Sequence, residues 1–135
     1  MAGFIPDEGE QLIANVVHKR THVDRDANLQ LGLLTNVGAD ETLTHAAVTE
    51  PTGTDYARIT LTDASWSVTN GVASYAQQTF SGGDGGFTGS VKGYFINTLA
   101  AGGTKRLVYV EIDASGPYTI NANDTYKITP NITES

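Results

Sequence analysis

From Leu29 onward the apolar residues alternate with a period of two, in runs too short to be helices, and nearly every run ends at a turn-forming pair. Leu29, Leu31 and Leu33 alternate in NLQLGLLTN, Tyr56 to Leu61 reads YARITL, and Ser65 to Val68 carries the lone Trp66. Val72 to Phe80, Val91 to Asn97, Arg106 to Ile112, Tyr118 to Ile120 and Thr125 to Ile132 continue the pattern. Asn70-Gly71, the glycines at 82 to 86, Gly102-Gly103, Gly116-Pro117 and Asn123-Asp124 supply the breaks. This spacing predicts about eight strands with no helices between them, an all-β domain of the β-sandwich or jelly-roll kind. In RLVYVEI the alternation puts Leu107, Tyr109 and Glu111 on one face and Val108, Val110 and Ile112 on the other, which is assigned to the core. Residues 35–55 have no firm period and read as a long excursion.

The segment before this has the other period. In PDEGEQLIANVVHKR, Leu12, Ile13, Val16 and Val17 form one stripe at helical spacing. Asp7 stands at the capping position with Glu10 three residues on, and His18, Lys19 and Arg20 close the helix with positive charge. Gly9 in the first turn costs about 1 kcal/mol relative to alanine, so the helix needs its stripe buried. The chain therefore divides into an N-terminal arm and helix, 1–28, and a β body, 29–135. At 135 residues both belong to a single domain.

Several classes of function are disfavoured. A formal charge of -7 repels a phosphate backbone or an anionic membrane surface, so neither nucleic acid nor membrane is an expected partner. With no cysteine there is no disulfide, thiolate nucleophile or cysteine-ligated metal. Met1 is followed by no basic and then apolar stretch of the secretory kind, which leads to an expectation of synthesis in a cytoplasm.

The chemistry-bearing motifs lack the spacing or the partners that their chemistry needs. The run TFSGGDGGFTGS, Thr79 to Ser90, invites a phosphate loop, but no lysine follows the glycines until Lys92. In the calcium-binding nonapeptide register the aspartate position falls on Phe87. The run is therefore expected to be a loop between strands. His18 and His22 have the spacing of two zinc ligands on one helical face, yet lack a glutamate between them and a third ligand; His45 has no partner in sequence. VDRDAN, Val23 to Asn28, lacks the glycine and glutamate of a calcium loop. The sequons at Asn123 and Asn131 carry no weight without a secretory leader. GxSxG is absent, and Glu111 reads as an outer-face or interface residue. No catalytic residue, cofactor or metal is expected, and the chain does not read as an enzyme. The aromatics Tyr75, Phe80, Phe87, Tyr94, Phe95, Tyr109, Tyr118 and Tyr126 alternate with aliphatics as core and edge residues do; exposed together they would instead stack on sugars, the carbohydrate-binding alternative.

The opening FIPDEGEQLIANVV, the strand LQLGLLTN, the middle ASWSVTNGVASYAQQTFS, then VKGYFINT and the ending LVYVEIDASGPYTINANDTYKITPNITES together resemble a family of small virion proteins of tailed bacteriophages. The likeness rests on Pro6, Glu8, Gly9 and Glu10, on Trp66, on Gly93 to Phe95, and on the close at Thr129 to Thr133. It implies a capsid decoration or cement protein with a jelly-roll or β-sandwich body, sitting as homotrimers on the outer surface of the head against the major capsid protein. A tail or head-fibre component is the nearest alternative. On this reading Phe4, Ile5, Pro6, Leu12, Ile13, Val16 and Val17 are the candidate capsid or protomer contacts, on an arm that reaches a neighbour.

Overall fold

The computed structural model describes residues 2–18, 28–99 and 104–133. His22, Gly102-Gly103 and most of VDRDAN lie outside the described residues. Among the described residues ten strands, all paired antiparallel, and one α-helix make up a mostly β fold. The central sheet has five strands in the order β1 (Ala2–Phe4), β8 (Leu107–Ile112), β7 (Gly93–Thr98), β2 (Leu29–Leu34) and β3 (Ile59–Leu61). A three-stranded sheet joins β10 (Asn131–Thr133), β5 (Val72–Ser74) and β4 (Ser67–Thr69), and a pair joins β6 (Gln78–Ser81) to β9 (Thr125–Ile128). All three sheets are open.

The central sheet is buried on both faces, and all six residues of β7 are buried. On one face Leu31, Leu33, Tyr94, Ile96 and Tyr109 pack against Phe80, Ile128 and Ile132 of the smaller sheets, with Phe87, Val91 and Ile120 from the loops. On the other, Leu34, Phe95, Leu107 and Val110 are covered by Phe4 and by Ala39, Leu43 and Val48 of the 35–55 excursion. The helix α1 (Asp7–His18) lies against β8 and buries Leu12. So the excursion without a period is a covering layer, held by side chains and by isolated backbone bonds such as the Thr52–Thr88 bridge and Asp7 N–H to the Glu41 carbonyl, and not by a ladder.

Strict alternation fails in β8. Ile96 pairs with Tyr109 but Asn97 pairs with Leu107, a bulge that leaves Val108 opposite no residue. The extra residue brings Leu107 onto the same face as Val110, while Tyr109 joins the opposite cluster with Val108 beside it. The expected split into a core face and an outer face is thereby corrected, since both faces of β8 are core.

Two expected strands are each two. Residues 72–81 and 125–133 form a bent antiparallel ribbon in which β5 pairs with β10 and β6 with β9. At the bend Pro130 has no N–H to donate, and its carbonyl accepts from Tyr75. Tyr118 makes a single bridge to Val91 in place of the expected strand. Asn70 and Gly71, with φ of 52° and 77°, form the tight turn between β4 and β5.

The N-terminal segment is part of the body. Ala2, Gly3 and Phe4 register with Ile112, Glu111 and Val110. The helix starts at Asp7 itself, and the Pro6 carbonyl accepts from Glu10, so Asp7 is not the cap.

Candidate functional site

Arg58, just before β3, is the centre of a polar cluster beneath the excursion. Its Nε and Nη2 each donate at 2.9 Å to the two carboxylate oxygens of Glu50, a forked ion pair. Its Nη1 donates to Nε2 of His45 at 2.9 Å and to Oδ1 of Asn97 at 3.3 Å. The guanidinium carbon stands 5.0 Å from the centre of the Phe95 ring, where the charge meets the π face. Asn97 is wholly buried, and its Nδ2 donates to the Thr98 carbonyl at 2.8 Å and to Gln30 Oε1 at 3.2 Å, so the buried amide is satisfied. Tyr56 donates to Glu50 Oε1 at 2.7 Å and accepts the Leu33 N–H at 2.9 Å. From the helix, the same oxygen of Glu8 accepts the backbone N–H of His45 and that of Leu107.

These contacts set the protonation states. Burial works against ionising Glu50, but the hydrogen bonds from Arg58 and Tyr56 outweigh it and hold the carboxyl below its ordinary value. Burial, then the charges of Arg58 and Lys105, push His45 down, while Glu8 and Glu50 pull the other way. Burial and Glu50 push the Tyr56 phenol up. Every charged group in the cluster is engaged by another member, so its chemistry is that of a fastener between the excursion, the helix and the sheet.

A second feature lies at the outermost strand. A cleft of about 580 Å³ is bounded by Gly3, Phe4 and Ile5, by Glu10 and Glu41, by Tyr109 and Glu111, and by Asn131 and Thr133. Tyr109 donates to Glu111 across 3.1 Å, and burial followed by the Glu111 charge pushes its phenol up to about 12. Glu111 is half-buried on this wall. Of the candidate contacts, Phe4 and Ile5 line the cleft while also packing inward, Pro6 and Leu12 are buried, and Ile13 and Val16 are half-buried. Val17 is 63% exposed.

The glycine run turns a corner. Gly86 donates to the Gly82 carbonyl at 2.8 Å, Gly82 to Asp124 and Phe87 to Ile120, which seats the loop on the 120–124 turn. Gly86, at φ 69°, is buried there, and a Cβ on Gly82 would stand 2.3 Å from the Asn121 carbonyl. The amides of Gly82, Gly86 and Phe87 are thus committed to the protein's own carbonyls. Among the described residues no three histidine or acidic side chains gather as a metal site. None of the described helices is long and apolar enough to cross a membrane. All described aromatics are buried or half-buried, and Tyr118 and Tyr126 meet at 55° and not as a flat platform.

The polar cluster was missed by pattern reading. Its one visible trace is Asn97, a polar residue directly after the apolar run Tyr94 to Ile96; Arg58, Glu50 and His45 lie in or beside the aperiodic excursion. No family model matches the chain, and neither the curated proteins nor the solved structures contain a significant match.

Proposed function

We propose that the protein is a bacteriophage capsid decoration, or cement, protein: a structural part of the virion that binds the outer surface of the head and stabilises the lattice of the major capsid protein. The observation that carries this reading is the cleft at the outermost strand. β1 pairs on one side only, with β8, and beside it Phe4 and Ile5 stand among Glu10, Glu41 and Glu111. An edge strand offers unpaired backbone groups to a neighbouring chain, and flanking apolar side chains add area to such a contact. Many copies bridging adjacent capsid subunits raise the free energy needed to separate them.

The open sheets, packed through a shared core, belong on this proposal to a jelly-roll or β-sandwich body that assembles as a homotrimer. The negative charge of the chain suits a part that coats a shell and avoids the packaged genome. Quantitative mass spectrometry of purified particles, comparing copies of this chain with copies of the major capsid protein, tests the reading. Near parity supports cementing of the whole lattice. A ratio of a few per cent or less overturns it in favour of a tail or head-fibre part, and glycan binding by the isolated protein overturns it in favour of a carbohydrate-binding module.

A further inference from the structure

One contact that holds the excursion over the central sheet requires an uncharged imidazole. A guanidinium has only N–H groups to offer, so the 2.9 Å contact between Arg58 Nη1 and His45 Nε2 requires a lone pair on that nitrogen and places the ring proton on Nδ1. The ring heads a single 3₁₀ turn, His45–Ala47, whose N-cap residue Thr44 makes no side-chain capping bond. On either side of it Leu43 and Val48 cover Leu34 and Phe95. The turn is held by Arg58 at the ring, by Glu8 at the His45 backbone N–H and by Asn36, whose Nδ2 donates to the Ala47 carbonyl.

We propose that acidification below neutrality releases the 35–55 excursion from the central sheet, with protonation of His45 as the trigger. Protonated Nε2 carries a hydrogen toward a donor that also carries positive charge, so the contact that anchored the turn becomes repulsive at hydrogen-bond distance. The groups facing the ring from each packed element are known. Glu8 comes from the helix, Glu50 from the excursion itself, Arg58 from the approach to β3, and Lys105 from the approach to β8. The two cations oppose protonation and the two carboxylates favour it; with burial added, the folded protein holds the ring in its neutral form to lower pH than an exposed histidine would. Relief of this penalty comes when the turn lifts away, carrying Leu43 and Val48 off the face they cover. The inference stands on the cluster alone and is independent of any role in a capsid.

Hydrogen exchange read by mass spectrometry on the full chain tests it, with rates corrected for intrinsic chemistry. Between pH 7.5 and 5, protection in 39–50 is expected to fall, by at most about tenfold per pH unit, the limit for one proton, while β7 keeps its protection. His45→Gln retains an acceptor for Arg58 and cannot titrate, and is expected to keep protection constant across the range. In the unaltered chain, the His45 ring resonances and the methyls of Leu43 and Val48 should titrate with one midpoint. Protection independent of pH, a pH dependence that survives in His45→Gln, or separate midpoints would each overturn the proposal.

Discussion

The ring of Phe95 lies across Gly32, its partner on the neighbouring strand, and fills the space that a side chain at position 32 would occupy; a Cβ there would stand 2.3 Å from the ring's Cζ. Phe95 is wholly buried and also carries Arg58 on its face, so it has nowhere to retreat. Gly32→Ala is expected to cost about 1–3 kcal/mol by overpacking. Gly85→Ala, where nothing lies within 4 Å, should stay within about 0.5 kcal/mol. Urea unfolding followed by Trp66 fluorescence compares the two, and equal midpoints would count against the packing argument.

Removal of the Asn97 amide leaves Gln30 and one branch of Arg58 without their buried partner. Asn97→Ala is therefore expected to lose about 1–3 kcal/mol in chemical denaturation. Arg58→Lys keeps the charge but loses the fork on Glu50, and should loosen the excursion in hydrogen exchange more than it lowers global stability.

Stability should fall with acid in two steps of the same sign. His45 has a folded pKa below 6.5, so the unfolded chain binds the proton first and stability declines as pH drops from about 6.5 toward the folded value. Glu50 has a folded pKa below 4.5; its contribution is present above 4.5 and is lost as pH falls through the folded value. Denaturant midpoints from pH 8 to 3.5 read both steps. Glu50→Gln should erase the lower step and keep the upper, and a flat profile from pH 8 to 5 would refute the assignment to His45.

Deletion of residues 1–6 should destabilise the body and not merely free it of an appendage. β1 pairs with β8, while Phe4 and Ile5 pack on opposite faces of the central sheet. The expected loss is about 2–4 kcal/mol, from apolar burial and the lost strand. It should come with self-association as β8 becomes an edge. An unchanged urea midpoint in a monomeric truncation would show that the segment is dispensable to the fold.

The β character of the chain was legible because runs such as those at Leu29 to Leu33 and Val91 to Asn97 are short, apolar and bounded by turn formers, and the strands found there are the most buried of the sheet. What escaped was set by partners distant in sequence. Residues 2–4 become a strand through residues 110–112, and Val108 is bulged because of how β7 meets it. The ribbon of 72–81 reads as one strand until Pro130 of its partner breaks the ladder. The polar cluster escaped for the same reason. His45 and Glu50 are ordinary polar residues of a loop, and Arg58 one polar position of the expected strand YARITL, until folding brings them to Asn97.

The pairing of β1 with β8 also orders events in time. Residues 2–4 leave the ribosome about a hundred residues before 110–112, the strand they pair with, and the first half of the ribbon likewise waits for residues 125–133. Pairings of such separation fold slowly, so a nascent chain carries bare apolar strands through most of its synthesis. The excess of acidic over basic residues repels one unfinished chain from another over that interval, so the charge acts during synthesis as well as in the finished protein.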